Sequence, residues 1–195
     1  VNGRLLIVSS AGAAGGSRAA AAGLACAGSE PDRPGLLIDV GGRRPRPTLV
    51  ASAGARELEE RLAAHLPQLP AASRGETCHL AVTADSEGLE CLSAALPLVR
   101  DSIAVAHVDP ADFRRLLELP HVAPGGVLIC ADLTVDRALT ALVVRDLLAR
   151  DLPVKVLKRP LAWVPSRRAL FGVLPGHSPA GLPACIRRSL LEGRI

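Results

Sequence analysis

Six short apolar runs punctuate the chain: Leu5–Ser9, Leu36–Val40, Cys78–Thr83, Ile103–Val108, Val127–Ala131 and Val154–Leu157. Each is too uniformly apolar to keep one side in water, the pattern of a strand buried on both faces. Between them lie segments with helical spacing of apolar positions, near 16–27, 54–66, 86–99, 112–118 and 135–150. Asp85-Ser86 stands in capping position ahead of Leu89, Leu92, Leu96 and Val99, and Asp132 and Thr134 precede Leu139, Leu142, Val143 and Leu147. Strands alternating with helices predict an α/β fold in three layers, a mainly parallel sheet of about six or seven strands flanked by helices and joined by right-handed crossovers. No internal repeat interrupts the alternation. Arg43–Ala53 reads as the most mobile loop, and Pro153 and Pro160 bracket the last strand.

From Pro165 the texture changes. Residues 166–172 and 182–191 read as two short amphipathic helices around a Pro/Gly-rich linker, with Leu182, Ile186, Leu190 and Leu191 sharing one face. The expectation is a single domain over 1–195 in which 165–195 forms a helical tail docked on the sheet, with peripheral membrane contact through 182–195 as the competing reading. The 195 residues are nearly half apolar but hold only two Phe, one Trp and neither Tyr nor Met, so the core has to be aliphatic. The formal charge of +4 is modest, and the arginines are scattered in small groups such as Arg43-Arg44-Pro-Arg46, Arg167-Arg168 and Arg187-Arg188, which argues against a nucleic-acid surface. Five cysteines without a close pair, placed in apolar segments, predict reduced, buried thiols in a cytoplasmic protein. The five histidines show no metal-ligand spacing. Leu5–Val8 is too short for the core of a signal peptide, and no run approaches the length of a membrane span. Because the first residue is Val, a missing upstream domain stays open.

The candidate chemistry lies at the start. Leu5–Ser9 empties into Ala11-Gly-Ala-Ala-Gly-Gly-Ser-Arg18 and then an alanine-rich helix, the local geometry that aims backbone N–H groups and a helix N-terminus at an anion. Laid over a phosphate-binding loop, Gly12, Gly15 and Ser17 take the places of the loop glycines and the metal-binding hydroxyl, and Gly16 takes the place of the lysine. In an open α/β sheet ligands gather beyond the carboxyl ends of the strands, where Asp39, Asp109 and Asp132 fall. Read individually, the glycines permit a tight turn, Asp39 and Asp109 start turns, and Asp132 caps a helix.

The succession of this loop, Leu-Leu-Ile-Asp39, Val-Ala-His-Val-Asp109-Pro and Gly-Gly-Val-Leu-Ile-Cys-Ala-Asp132 resembles the MinD/ParA family of deviant Walker P-loop ATPases, and within it the TadZ or CpaE group attached to pilus assembly. The likeness covers most of residues 3–160 in order and spacing. It implies a P-loop NTPase-like fold, with Asp109 at the end of the family's Walker B strand. The family's signature lysine would fall on Ala11, its Walker lysine on Gly16 and its second acidic residue on Gly41, so three charges are gone. Phosphoryl transfer depends on such charges and on metal, so the implied protein is catalytically inactive or very slow. Arg18, one position past Ser17, is expected to point away from the loop rather than stand in for lysine.

The leading expectation is therefore a pseudo-ATPase with no required cofactor, ATP and magnesium binding weakly if at all. It would act as a protein interaction or positioning module in pilus or secretion-system assembly, with a second copy of itself or a secretion-type ATPase as partner, in the cytoplasm or at the membrane periphery. The alternatives are a weak nucleotide sensor without turnover and a Rossmann-type dinucleotide-binding protein with Asp39 on the ribose, although Gly12-x-x-Gly15-Gly16 departs from GxGxxG. A DNA-partitioning role is the third class, suggested by the family and the positive charge.

Overall fold

The computed structural model describes residues 5–11, 17–30, 33–42, 45, 50–99, 102–119, 122, 124–131 and 136–158. Among the described residues there are seven strands: β1 (Leu5–Ser10), β2 (Gly35–Val40), β3 (Ala71–Arg74), β4 (Thr77–Val82), β5 (Ala104–His107), β6 (Pro124–Ala131) and β7 (Val154–Lys158). Five α-helices accompany them: α1 (Ser17–Ala27), α2 (Ala53–His65), α3 (Ser86–Ala95), α4 (Pro110–Leu117) and α5 (Arg137–Leu148). The strands form one sheet in the order β3-β4-β2-β5-β1-β6-β7. Every neighbouring pair is parallel except β3 with β4, which close an antiparallel edge. The α/β architecture, mainly parallel and flanked by helices, follows the alternation of the sequence, with β3 the one added strand.

Strand alternation sorts the core into two layers. Leu5, Ile7, Leu36, Ile38, Cys78, Leu80, Ala104, Ala106, Val127 and Ile129 face one side, where α2 contributes Leu58 and Leu62, α3 Leu89 and Leu92, α4 Phe113 and Leu116, and α5 Leu147. Leu6, Val8, Leu37, Val105, Leu128 and Cys130 face the other and pack on α1 through Ala20, Ala21, Leu24 and Ala25. The small alanines let α1 lie close. A Cβ at Gly35 would collide with the Ala25 carbonyl, so the end of α1 rests against the start of β2. Ser29 ties the two by donating its hydroxyl to Ala25 O and accepting from Gly35 N, both at 3.0 Å.

Helix starts agree with the sequence in some places and differ in others. Asp85 caps α3 by accepting from Gly88 N at 2.8 Å, and that bond, with a second from the Thr83 hydroxyl, holds its carboxyl below the usual range. The expected helix 86–99 is divided, because Pro97 cannot donate to the α ladder and Leu96–Val99 tightens into a 3-10 turn. α5 begins at Arg137 behind Asp136, while Asp132 and Thr134 lie outside the described residues. At the end of the expected mobile loop, residues 50–53 are fixed rather than loose: Val50 O accepts from Gly75 N at 2.9 Å, Ser52 N donates to Gly75 O at 2.7 Å, and Ser52 caps α2. The tail 165–195, including the membrane-contact segment 182–195, lies outside the described residues.

Cys78 and Cys130 are buried, and burial pushes both thiols up to about 12; Cys26 and Cys91 are only half-buried, and these four are all free. His79 on β4 is held mostly neutral at neutral pH. Burial lowers it to about 4, Arg74 and Arg18 add to the shift, and Asp39 opposes it. Its folded value lies below the unfolded one, so the native chain binds fewer protons than the unfolded chain between pH 6.5 and 4, and stability falls as pH falls through that window. Urea unfolding of the wild type is expected to lose about 2 kcal/mol more between pH 7 and pH 4.5 than unfolding of His79→Gln, with partial exposure of the ring allowed for.

Candidate functional site

The carboxyl ends of β1, β2 and β5 converge on the N-terminus of α1. Asp39 and His107 are direct neighbours in the β2–β5 register, and both continue the alternation that faces Leu37 and Val105 toward α1. Ser17 opens α1 above them. All three residues are buried, at 8% exposure for Ser17 and 7% for each of the others. Burial of three polar groups, two at strand ends and one at a helix start, is costly unless each finds a partner.

Each does. The Ser17 hydroxyl lies 3.1 Å from His107 Nε2, and His107 Nδ1 lies 2.9 Å from Asp39 Oδ1. The other carboxylate oxygen, Oδ2, is sealed from solvent and makes no directed hydrogen bond, but it meets the Arg18 guanidinium as an ion pair. An ionised Asp39 can only accept, so Nδ1 carries the ring proton. In the neutral ring Nε2 is then an acceptor, and Ser17 donates to it. Four residues from three elements thus form one line: Ser17, His107, Asp39, Arg18.

The turn after β2 makes room for this line. Gly41, at φ 73°, donates to Val82 O at 2.7 Å, and a Cβ on the following Gly42 would run into the Asp39 carboxylate. Neighbouring strand ends are also locked, by the Ser9 hydroxyl donating to Val108 O at 2.7 Å and by Ala11 N donating to Cys130 O at 3.0 Å.

Of the six residues singled out from the sequence, Ser17 and Asp39 belong to this cluster. Asp109 does not: it stands exposed at the N-cap of α4, where its side chain makes no capping bond and Pro110 follows as the first helical residue. Gly12, Gly15 and Gly16 lie outside the described residues. Arg18, expected to point away from the loop, pairs its guanidinium with the carboxylate of Asp39 at the end of β2, while the loop itself lies outside the described residues. His107 has no role that the sequence alone assigns. Its signal was present, because it is the one polar residue in Ile103–Val108 and shares parity with Val105.

Magnesium does not fit this donor set as arranged. The hydroxyl of Ser17 is turned to an imidazole and both oxygens of Asp39 face positive or N–H groups, so a cation would have to displace a guanidinium. Among the described residues no group of three or more His, Cys, Asp and Glu is arranged to hold a metal ion, and no helix is long and apolar enough to cross a membrane.

On the opposite face, next to the end of β1, a groove of about 280 Å³ opens between α4 and α5, lined by Ser9, Ser10, Phe113, Leu142, Val143 and Leu147. Leu142 is 53% exposed, with Leu139 at 44% and Leu148 at 57% on the same helix. These side chains are the largest apolar groups left in water among the described residues, together with Val50. No protein-family model matches the chain, and no curated protein matches it.

Proposed function

We propose that the chain is a degenerate P-loop domain of MinD/ParA type, inactive as an ATPase, that works as an interaction or positioning module. The observation that carries this reading is the closed line Ser17–His107–Asp39–Arg18. In the resemblance drawn from the sequence, Ser17 stands at the metal-binding hydroxyl and Asp39 at one of the two acidic positions after the second strand. Here an imidazole and a guanidinium engage those groups from within the protein, so the strand ends are satisfied without metal or phosphate. Replacement of the Walker lysine by Gly16 points the same way.

The interaction role draws support from the exposed leucines of α5 and the groove beside them. A second copy of this chain or a secretion-type ATPase of a pilus assembly is the partner that the TadZ or CpaE likeness suggests. Calorimetric titration with ATP, with and without magnesium, tests the reading. The expected outcome is no saturable binding up to about 1 mM, an affinity weaker than about −4 kcal/mol.

A further inference from the structure

The same cluster has a second chemical meaning. Ser17, His107 and Asp39 stand in the order hydroxyl, imidazole, carboxylate, with spacings of 3.1 and 2.9 Å and each ring nitrogen given to a different partner. That is the arrangement in which an imidazole takes the proton of a serine hydroxyl while a carboxylate holds the ring in the required tautomer. Nothing in phosphate binding calls for a histidine between the hydroxyl and the aspartate. We infer that Ser17 is an activated nucleophile toward small acyl esters, with His107 as its general base and Asp39 as the residue that positions the imidazole.

The three residues come from rigid elements. His107 and Asp39 sit on adjacent parallel strands in fixed register, and Ser17 is the first residue of an eleven-residue helix whose Leu24 is fully buried. The N–H groups of the first turn of α1 have no intrahelical carbonyl to bind, and the positive end of the helix favours negative charge developing beside Ser17. Ser17 itself is buried at 8% exposure, and Arg18, next in the chain, has a side chain that is 57% exposed. A hydroxyl so little exposed limits the inferred substrate to one with a small acyl group. The guanidinium has five donors and engages one Asp39 oxygen, which favours an acyl donor carrying its own carboxylate.

In the reaction the Ser17 oxygen forms a bond to the acyl carbon while its proton passes to His107 Nε2. The ester C–O bond then breaks, and the leaving alkoxide takes that proton. Water repeats the sequence to release the acid and restore Ser17. Neither metal nor lysine enters these steps, so the inference goes beyond the inactive-ATPase reading and stands or falls separately from it: ATP titration reads one, covalent labelling the other.

The test uses a small alkyl fluorophosphonate on the folded chain, with the modified peptide located by mass spectrometry. Attack by Ser17 forms an O–P bond, fluoride leaves, and the proton passes through His107 to solvent. The expected result is modification at Ser17 in the wild type, none at that position in Ser17→Ala, and a rate at least about 100-fold lower in His107→Gln. Asp39→Asn, which keeps an oxygen opposite Nδ1, is expected to slow labelling by about 10-fold or more and serves should His107→Gln fail to fold. An unmodified Ser17 in the folded wild type overturns the inference. So does labelling at an equal rate in the wild type and whichever of the two variants is folded.

Discussion

Asp39→Ala is expected to destabilise the chain by about 3 kcal/mol, read as a lower urea midpoint at unchanged slope. The substitution removes the acceptor from a buried His107 Nδ1–H and the counter-charge from Arg18. Breaking a buried pair from one side costs roughly 3–5 kcal/mol when the remaining charge stays out of water. Arg18 is more than half exposed and can return to solvent, so most of the loss falls on the imidazole, whose buried donor is left without a partner at about 1–3 kcal/mol. Asp39→Asn separates the contributions: it retains an oxygen opposite Nδ1, loses the charge opposite Arg18, and is expected to cost about 1 kcal/mol. Equal stability of the wild type and Asp39→Ala would show that the line of contacts does not hold these elements together.

Leu24→Ala is expected to cost a similar amount, about 3 kcal/mol, for a different reason. Leu24 is fully buried in the layer where α1 meets Leu6, Val8, Leu37, Val105 and Leu128, and its neighbours on the helix are alanines too short to fill the space it would leave. Large-to-small core changes cost roughly 2–5 kcal/mol, the more so where surroundings cannot collapse. At about 2–4 °C per kcal/mol for a chain of this size, the melting temperature drops by about 6–12 °C. The change lies two turns from Ser17, so it also loosens the element that presents Ser17 and Arg18 to the strand ends. A thermal melt checks the size. A drop under about 2 °C would mean that α1 is not docked through this face.

The strands were legible because burial on both faces demands unbroken apolar runs, and Leu5–Val8, Leu36–Ile38 and Val127–Ala131 supply them. β3 was not legible: Ala71-Ala-Ser-Arg74 has no apolar run, and it becomes a strand through its antiparallel pairing with β4 and through Glu59 of α2, whose carboxylate accepts from Ser73 N at 2.7 Å. α4 starts earlier than periodicity suggested, because Pro110 has the φ of a first helical residue and needs no donor.

The cluster was half legible. Ser17 and Asp39 stood out by type and by place after an apolar strand, whereas His107 and Arg18 gain their roles only from the strand order, which sets β5 beside β2 and both beneath α1. Sequence spacing put weight on Asp109, two residues further on, but the chain has already turned into α4 there and the carboxylate faces water.

The central claim is that Ser17 and Asp39 are satisfied from within the protein and no longer serve a nucleotide. Calorimetric titration of the purified chain with ATP in the presence and absence of magnesium measures this most directly. The account predicts heats indistinguishable from dilution in both conditions up to about 1 mM ATP. Saturable, magnesium-dependent binding in the micromolar range, abolished by Ser17→Ala, would contradict it.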